Sequence, residues 1–149
     1  MTSPPRPILV VEDNDDDLEL ALRALRGHDA RDEIALARDG VEASEFLFGT
    51  GDGPATRPLP SVVFLDLKLP RVSGFEVLRR IRADARTKLL PVVVLTSSRE
   101  EEDIVSSYTL GANSYVRKPV DYATFRSAVR SLRDYWLALN EVPPAEHQV

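Results

Sequence analysis

The sequence predicts an α/β domain in which a doubly wound, five-stranded parallel sheet, with strand order 2-1-3-4-5, is covered by five helices. Short runs of apolar, largely β-branched residues alternate with segments in which apolar residues recur every three or four positions, so strands alternate with helices. Three of the short runs are apolar throughout, as expected of strands buried on both faces of a parallel sheet. Right-handed crossovers between such strands place helices on both faces.

The predicted elements alternate along the whole chain. The first strand, 7–11, is apolar and stops at acidic residues, and the first helix, 16–26, carries three leucines at helical spacing and is followed by a glycine. The segment 49–60 contains three glycines and three prolines and is predicted to be an exposed loop. The remaining predicted strands are 33–37, 61–65, 91–95 and 114–116, and the remaining predicted helices are 41–48, 75–83, 100–110 and 121–140.

Length and composition fit one globular domain. The chain has 149 residues, of which 43% are hydrophobic and 29% charged, as is typical of a single core. We assign the domain to 7–140, with terminal tails at 1–6 and 141–149. The net charge of −5 offers no basic surface for a nucleic-acid backbone, so neither DNA nor RNA is expected as a partner. The lack of cysteine and of a roughly 20-residue apolar run predicts a cytoplasmic protein with no membrane partner.

Polar side chains follow four of the predicted strands. Glu12 and Asp13 follow the first strand, Asp66 the third, Thr96 the fourth and Lys118 the fifth. Ligands of such sheets bind beyond the carboxyl ends of the strands, where the strand order reverses, so these side chains are expected to converge. Three carboxylates in one crevice need a cation to stay ionised, which a lysine and a divalent ion would supply. A set of oxygen ligands predicts Mg²⁺.

Other site classes fit less well. The acidic residues 14–17 are interpreted as a helix cap with a solvated first turn. A calcium-binding loop that starts at Asp13 would need a glycine where Leu18 stands and a glutamate where Ala24 stands. Zinc would require histidine or cysteine, and neither histidine is near the acidic residues. The glycines of 49–53 do not connect a strand to a helix, which argues against a nucleotide-binding loop.

With these residues in place, the chain resembles the receiver domains of two-component response regulators over about 7–135. Such domains have the flavodoxin-like or CheY-like fold. The resemblance rests on five features: Val10-Val11-Glu12-Asp13-Asn14, Asp66-Leu67-Lys68-Leu69-Pro70, Gly74, Leu95-Thr96-Ser97-Ser98, and Tyr115-Val116-Arg117-Lys118-Pro119.

The resemblance implies a role for each residue at the predicted strand ends. Asp66 is then the phosphoacceptor, Asp13 a direct Mg²⁺ ligand, Glu12 a ligand or a water-mediated partner, and the backbone carbonyl of Lys68 a further ligand. Glu12 departs from the aspartate that the family more often has. Thr96 and Lys118 would contact the phosphoryl oxygens, and Tyr115 would be the switch aromatic. The phosphodonor is expected to be the phosphohistidine of a sensor histidine kinase, and the surface of the last two helices and last strand is expected to change shape.

Two alternatives to a terminal signalling switch stay open. A shuttle that passes the phosphoryl group on to a histidine phosphotransfer protein has the same sequence features as a terminal switch. A Mg²⁺-dependent aspartyl-phosphate hydrolase is more remote, because it would need a second aspartate where Lys68 stands. We expect the chain to catalyse only its own phosphorylation and dephosphorylation, and therefore not to be an enzyme acting on other substrates.

A narrower resemblance is to the small regulators that partner phytochrome-type histidine kinases. It rests on the acidic residues 14–17, the long loop 49–60 and the aromatic end of the last helix. The apolar stripe of that helix continues through Trp136 and Leu139, which are predicted to face the core side beyond the last strand. Because something must cover them, a homodimer is predicted in which Tyr135, Trp136 and Leu139 contribute to the interface. The alternative is that the tail or the first helix covers them within one chain.

Overall fold

A computed structural model describes residues 6–26, 34–49, 58–119, 121–141 and 143, and these residues form the predicted alternation of strands and helices. The strands are β1 (Ile8–Val11), β2 (Ile34–Ala37), β3 (Val62–Leu65), β4 (Val92–Thr96) and β5 (Ser114–Arg117). The helices are α1 (Asp15–Leu25), α2 (Gly40–Phe48), α3 (Gly74–Ala83), α4 (Glu101–Thr109) and α5 (Tyr122–Asp134), and a π-helical segment, Tyr135–Leu139, follows α5.

The sheet confirms the predicted topology. All neighbouring strands are parallel, and their order is β2-β1-β3-β4-β5. The strand order reverses between β1 and β3, which pair from Ile8 with Val62 to Val11 with Leu65. Residues that follow β1 and β3 therefore lie side by side at the carboxyl edge of the sheet, which is where the acidic side chains were expected.

Both faces of the sheet are buried, which explains the continuous apolar runs. Every residue of β1, β3 and β4 is buried, as a parallel sheet covered by helices on both faces requires. Alternate side chains of these strands belong to two separate hydrophobic clusters. One cluster includes side chains from α2 and α3, and the other includes side chains from α1, α5 and Trp136. The sheet is therefore a rigid frame for the residues at its carboxyl edge.

Polar caps begin four of the helices. Asn14, Asp39, Ser73 and Asp121 each accept a hydrogen bond from the backbone N–H three residues later, which satisfies a donor that the first helical turn leaves free. Helix α4 begins after Glu100 without such a bond. Its only buried residue is a serine, so α4 is held less firmly than the other helices.

The end of α5 differs from the prediction of one helix over 121–140. Beyond Asp134 the chain widens into a π-helical turn, in which the Asn140 N–H donates to the Tyr135 carbonyl over 2.6 Å. Trp136 is 7% exposed and belongs to the hydrophobic cluster that includes α1, so it lies on the core side as predicted. It is covered within one chain, which agrees with the alternative to its predicted place in a dimer interface. Leu139 is 75% exposed, so its predicted position on the core side is wrong. The wider turn changes the angular step, which separates two residues that an α-helix would keep on one face.

Several predictions concern parts of the chain outside the described residues. Most of the loop 49–60, most of both predicted tails and the first residue of the predicted second strand are among them. In the part of the chain that is described, no helix has the length and apolar character needed to cross a lipid bilayer.

Candidate functional site

Three backbone hydrogen bonds place the polar residues at the carboxyl edge of the sheet. Glu12 donates to the carbonyl of Ala37 at 3.0 Å, Asp66 to that of Val11 at 3.1 Å, and Lys118 to that of Thr96 at 2.8 Å. Each bond continues the ladder of a strand by one residue, so the rigid sheet fixes the backbone of the residue that bears each functional side chain.

The Lys118 ammonium lies at the centre of an acidic cluster. Its Nζ donates to Glu12 Oε1, to Asp17 Oδ2 at 2.9 Å and to Asp66 Oδ2 at 3.0 Å. The side chains of Lys118, Glu12 and Asp66 are each 10% exposed or less. Because an ammonium has three N–H donors, every hydrogen-bonding position of Lys118 is occupied. The ammonium is therefore held at a defined point between α1, β1 and β3.

Burial and charge shift the pKa values of this cluster. Burial raises the pKa of the Glu12 carboxyl from its ordinary value of 4.5 to about 7, against the opposing hydrogen bond from Lys118, and the charge of Asp66 raises it further. Burial alone would lower the pKa of Lys118, but its hydrogen bond to Glu12 and the charge of Asp66 outweigh burial and raise it. Lys118 is thus fully charged at neutral pH, whereas one positive charge does not satisfy all the carboxylates.

The acidic side chains fit a hard divalent cation. Glu12, Asp13 and Asp66 offer carboxylate oxygens that all lie within 4.8 Å of one another, and Asp13 is exposed at the mouth of the crevice. Carboxylate oxygens suit Mg²⁺ or Mn²⁺, and carboxylates this close together are stabilised by a nearby positive charge. These residues are therefore suited to hold such an ion.

The loop after β3 curls tightly around Asp66. The Lys68 N–H donates to Asp66 Oδ1 at 3.2 Å, and the Gly74 N–H donates to the Leu67 carbonyl at 2.9 Å. A side chain at Gly74 would bring its Cβ within 2.1 Å of the Asp66 carbonyl oxygen, so glycine permits α3 to begin directly against this loop. The side chain of Lys68 is exposed.

A second polar group links the end of β4 to α4 and β5. Thr96 is fully buried, and its Oγ1 accepts a hydrogen bond from the Ser98 N–H at 3.4 Å. The Ser98 hydroxyl donates to Asp103 in the first turn of α4 at 2.5 Å, and its carbonyl accepts a hydrogen bond from the Tyr115 hydroxyl at 3.1 Å. A movement of this loop would therefore reach both α4 and the tyrosine.

The structure brings together the predicted site residues in two groups and leaves others apart. Glu12, Asp13, Asp66 and Lys118 form the acidic cluster, while Thr96 and Tyr115 are joined through Ser98. Tyr135, Trp136 and Leu139 belong to the end of α5 and are not part of either group.

Sequence reasoning missed one member of the acidic cluster. Asp17 was interpreted as part of a solvated helix turn, yet it contacts Lys118. The signal that could have found it is its place in the first turn of a helix that begins directly after β1, because that turn starts beside the carboxyl end of the strand.

Family comparison agrees with the fold and with this cluster. A parallel sheet with clustered carboxylates and one lysine at its carboxyl edge defines an α/β protein with an acidic site suited to a divalent cation. The family model described as the response regulator receiver domain matches residues 8–130, and the chain belongs to that family. Response regulator Rcp1 of Synechocystis sp. is 35% identical over 144 residues, which cover 97% of this chain and 97% of Rcp1.

Solved structures of response regulators superpose closely on this chain. The phosphorylated cyanobacterial phytochrome response regulator RcpA gives a TM-score of 0.88 at 36% identity and covers 94% of this chain and 99% of its own. The Mn²⁺-bound form of Rcp1 gives 0.87 at 35% identity, with 94% and 100% covered. The bacteriophytochrome response regulator AtBRR gives 0.71 at 48% identity, with 93% and 100% covered. The resemblance to phytochrome-associated response regulators is therefore confirmed.

Proposed function

We propose that the chain is a signalling switch that accepts a phosphoryl group on Asp66 from the phosphohistidine of a sensor histidine kinase. The observation that carries this proposal is the position of Asp66 between a lysine ammonium at 3.0 Å and the carboxylates of Glu12 and Asp13. Glu12 and Asp66 both contact the lysine and belong to the group suited to a cation. Of these two, Asp66 is the one that begins the loop held against α3, where its Oδ1 accepts a hydrogen bond from the Lys68 N–H.

The chemistry of transfer follows from these residues. An Asp66 carboxylate oxygen forms a bond to phosphorus as the bond from phosphorus to the histidine nitrogen breaks, and the electron pair of the broken bond stays on that nitrogen. Negative charge spreads over the phosphoryl oxygens during transfer, and Lys118 is placed to compensate it. The Thr96 hydroxyl provides a further hydrogen bond after a small movement. The chain is proposed to catalyse only its own phosphorylation and dephosphorylation.

Mg²⁺ is the proposed cation of this site. Glu12, Asp13, Asp66 and the carbonyl of Lys68 would hold it, and when bound it neutralises charge on the phosphoryl oxygens. The relative Rcp1 has a solved Mn²⁺-bound form, and Mn²⁺ takes the same oxygen ligands. The three clustered carboxylates of this chain support a divalent ion of that class.

The proposed output is a change on the side of α4, β5 and α5. Movement of Thr96 toward a phosphoryl group would pull on the Ser98 N–H, which its Oγ1 contacts. The same serine holds Asp103 of α4 and the Tyr115 hydroxyl. Because α4 buries a single serine and lacks a side-chain cap, it can respond to a small force. Tyr115 and α4 would therefore shift together.

The relatives support a place in light signalling, and we propose that the chain acts in the cytoplasm. RcpA is a phytochrome response regulator and AtBRR a bacteriophytochrome response regulator, so the partner proposed for this chain is a phytochrome-type histidine kinase. A homodimer is proposed as well. Tyr135 and Leu139 are 47% and 75% exposed at the end of α5, and a twofold contact would bury the same patch on both subunits.

Intact mass after incubation with Mg²⁺ and acetyl phosphate tests the central proposal. The wild type is expected to gain one phosphoryl group, and Asp66→Asn is expected to gain none. Asp84→Asn, which alters an aspartate beyond the end of α3, serves as the matched control and should be modified like the wild type. Equal modification of the wild type and Asp66→Asn would contradict the assignment.

A further inference from the structure

Asp17 reaches the same ammonium as the two buried carboxylates, although it stands on a helix. Its Oδ2 lies 2.9 Å from Lys118 Nζ, and its side chain is 35% exposed. The side chain of Asn14 accepts a hydrogen bond from the Asp17 N–H at 2.9 Å, which stabilises the first turn of α1, where Asp17 stands. Asp17 is thus held by a local cap while its carboxylate faces the site.

The three carboxylates around Lys118 differ in which other groups they would bind during phosphoryl transfer. Glu12 and Asp66 belong, with Asp13, to the group whose oxygens could hold a cation, and Asp17 does not. During transfer Asp66 also bonds to phosphorus. Glu12 and Asp66 are therefore drawn away from the ammonium at the moment when its position matters. Asp17 binds neither the cation nor phosphorus, so it can keep its hydrogen bond to Lys118 throughout the transfer.

We infer that Asp17 is a positioning residue for phosphoryl transfer, holding the Lys118 ammonium where the phosphoryl oxygens arrive. The inference rests on the proposed function, in which Asp66 accepts the group. A lysine carries its charge on a flexible chain of four carbons with three donors. One donor bound to Asp17 leaves two for phosphoryl oxygens and removes much of the side chain's freedom. This is the kind of preorganisation from which transfer reactions gain rate.

The neighbouring aspartate separates this role from a general effect of acidic residues. Asp15, Asp16 and Asp17 all lie in the first turn of α1 and complement the partial positive charge of the helix start. Asp16 is exposed, whereas Asp17 contacts the lysine. A change at Asp16 therefore controls for charge and helix stability, and a change at Asp17 adds the loss of the contact.

Phosphorylation rates provide the first measurement. With acetyl phosphate at saturating Mg²⁺, a bond from Asp66 to phosphorus forms, and acetate leaves with the electron pair of the broken P–O bond. Asp17→Ala is expected to slow this step about tenfold, since small misplacements of a positioned group have effects of this size or larger. Asp17→Asn keeps an oxygen acceptor and should recover most of the lost rate, and Asp16→Ala should react like the wild type.

Hydrogen exchange of the Lys118 ammonium, followed by ¹⁵N NMR without phosphodonor, provides the second measurement. Asp17→Ala should exchange at least about fivefold faster, because a charge-assisted hydrogen bond is lost, and Asp16→Ala should not. Slower phosphorylation together with faster exchange supports the inference. A change in only one of the two, in neither, or an Asp17→Asn variant as slow as Asp17→Ala overturns it.

The two measurements also distinguish a failure of the inference from a failure of the proposed function. If the wild type gains no phosphoryl group on Asp66, the proposed function fails, while the exchange rate still tests the contact. Thermal unfolding checks that each variant is folded. Should Asp17→Ala not fold, Asp17→Ser replaces it in both measurements, since its hydroxyl is too short to reach Lys118.

Discussion

Two partly or fully buried cations lie at opposite ends of β4 and β5, and they are held in different ways. Lys118 follows β5 and contacts three carboxylates. Arg82 of α3 donates to the carbonyl of Gly111 at 2.9 Å, to that of Leu90 at 2.7 Å and to the Asn113 side chain at 2.9 Å, all of which precede the two strands. These acceptors of Arg82 are uncharged oxygens.

The difference shows which end of the sheet is built for change. The neutral acceptors of Arg82 do not change charge with pH, and burial lowers the pKa of Arg82. The carboxylates around Lys118 can instead take up a proton, and in the proposed function they also take up a metal ion and a phosphoryl group, each of which alters the balance of charge. The amino end of the sheet is therefore a structural clamp, and the carboxyl end is a site that responds to its surroundings.

The largest expected effect concerns the clamp. Arg82→Met should lower the free energy of unfolding by about 3 kcal/mol, because several partly buried oxygens lose their donor. Urea denaturation with and without Mg²⁺ measures this, and the loss should be the same in both. Arg79→Met, at an exposed position of the same helix, is the control and should change stability by less than about 0.5 kcal/mol. A loss that Mg²⁺ restores would contradict a purely structural role.

The pH dependence of stability should come from the other end. The pKa of Glu12 in the folded chain, about 7, lies above its ordinary value of 4.5. The neutral carboxyl is therefore favoured by folding, and its contribution is full below about pH 4.5 and is lost as the pH rises through about 7. The contribution is at most about 3 kcal/mol. Urea denaturation in chelator at several pH values should show this decline in the wild type relative to Glu12→Gln, and parallel curves would contradict it.

Metal affinity should separate the two acidic residues after β1. Asp13→Asn is expected to weaken Mg²⁺ binding about tenfold or more, equivalent to about 1.4 kcal/mol, because the exposed Asp13 is proposed to bind the ion directly. Glu12→Gln should weaken Mg²⁺ binding less, since the Glu12 carboxylate also accepts a hydrogen bond from Lys118. Calorimetry is the suitable measurement. The single tryptophan of the chain, Trp136, lies outside the site, so its fluorescence is a poor reporter of metal binding. Unchanged affinity in both variants would place the metal elsewhere.

The smallest expected effect lies at the end of α5, which carries no part of the acidic site. Leu139→Ser should weaken the proposed homodimer about fivefold, or about 1 kcal/mol, because one exposed apolar side chain per subunit is removed from the contact. Light scattering at tens of micromolar measures the dimer, and Ala138→Ser at a neighbouring exposed position is the control. A wild type that stays monomeric, phosphorylated or not, would contradict the dimer.

The sequence predicted the features that depend on local pattern. Strand ends could be located because β1 and β3 are apolar throughout and are followed by polar residues, and β4 is apolar up to Thr96. The parallel topology then brought Glu12, Asp66 and Lys118 to one edge. Asp17 was missed because the rotation of α1 about its axis relative to the sheet follows from packing, not from local sequence. The contacts of Arg82 were missed for a similar reason, since Gly111 lies 29 residues away along the chain.

The π-helical turn after α5 determines which of its side chains face the solvent. At 3.6 residues per turn, side chains three apart differ by about 60° in direction, so Trp136 and Leu139 would share a face. The wider turn lets one pack inside while the other points outward. A π-helical turn holds one residue more than an α-helical turn, so a chain one residue shorter between 135 and 139 would close an ordinary helical turn. Such a deletion would change which side chains of this segment face outward, while the sheet and its acidic edge lie outside the segment.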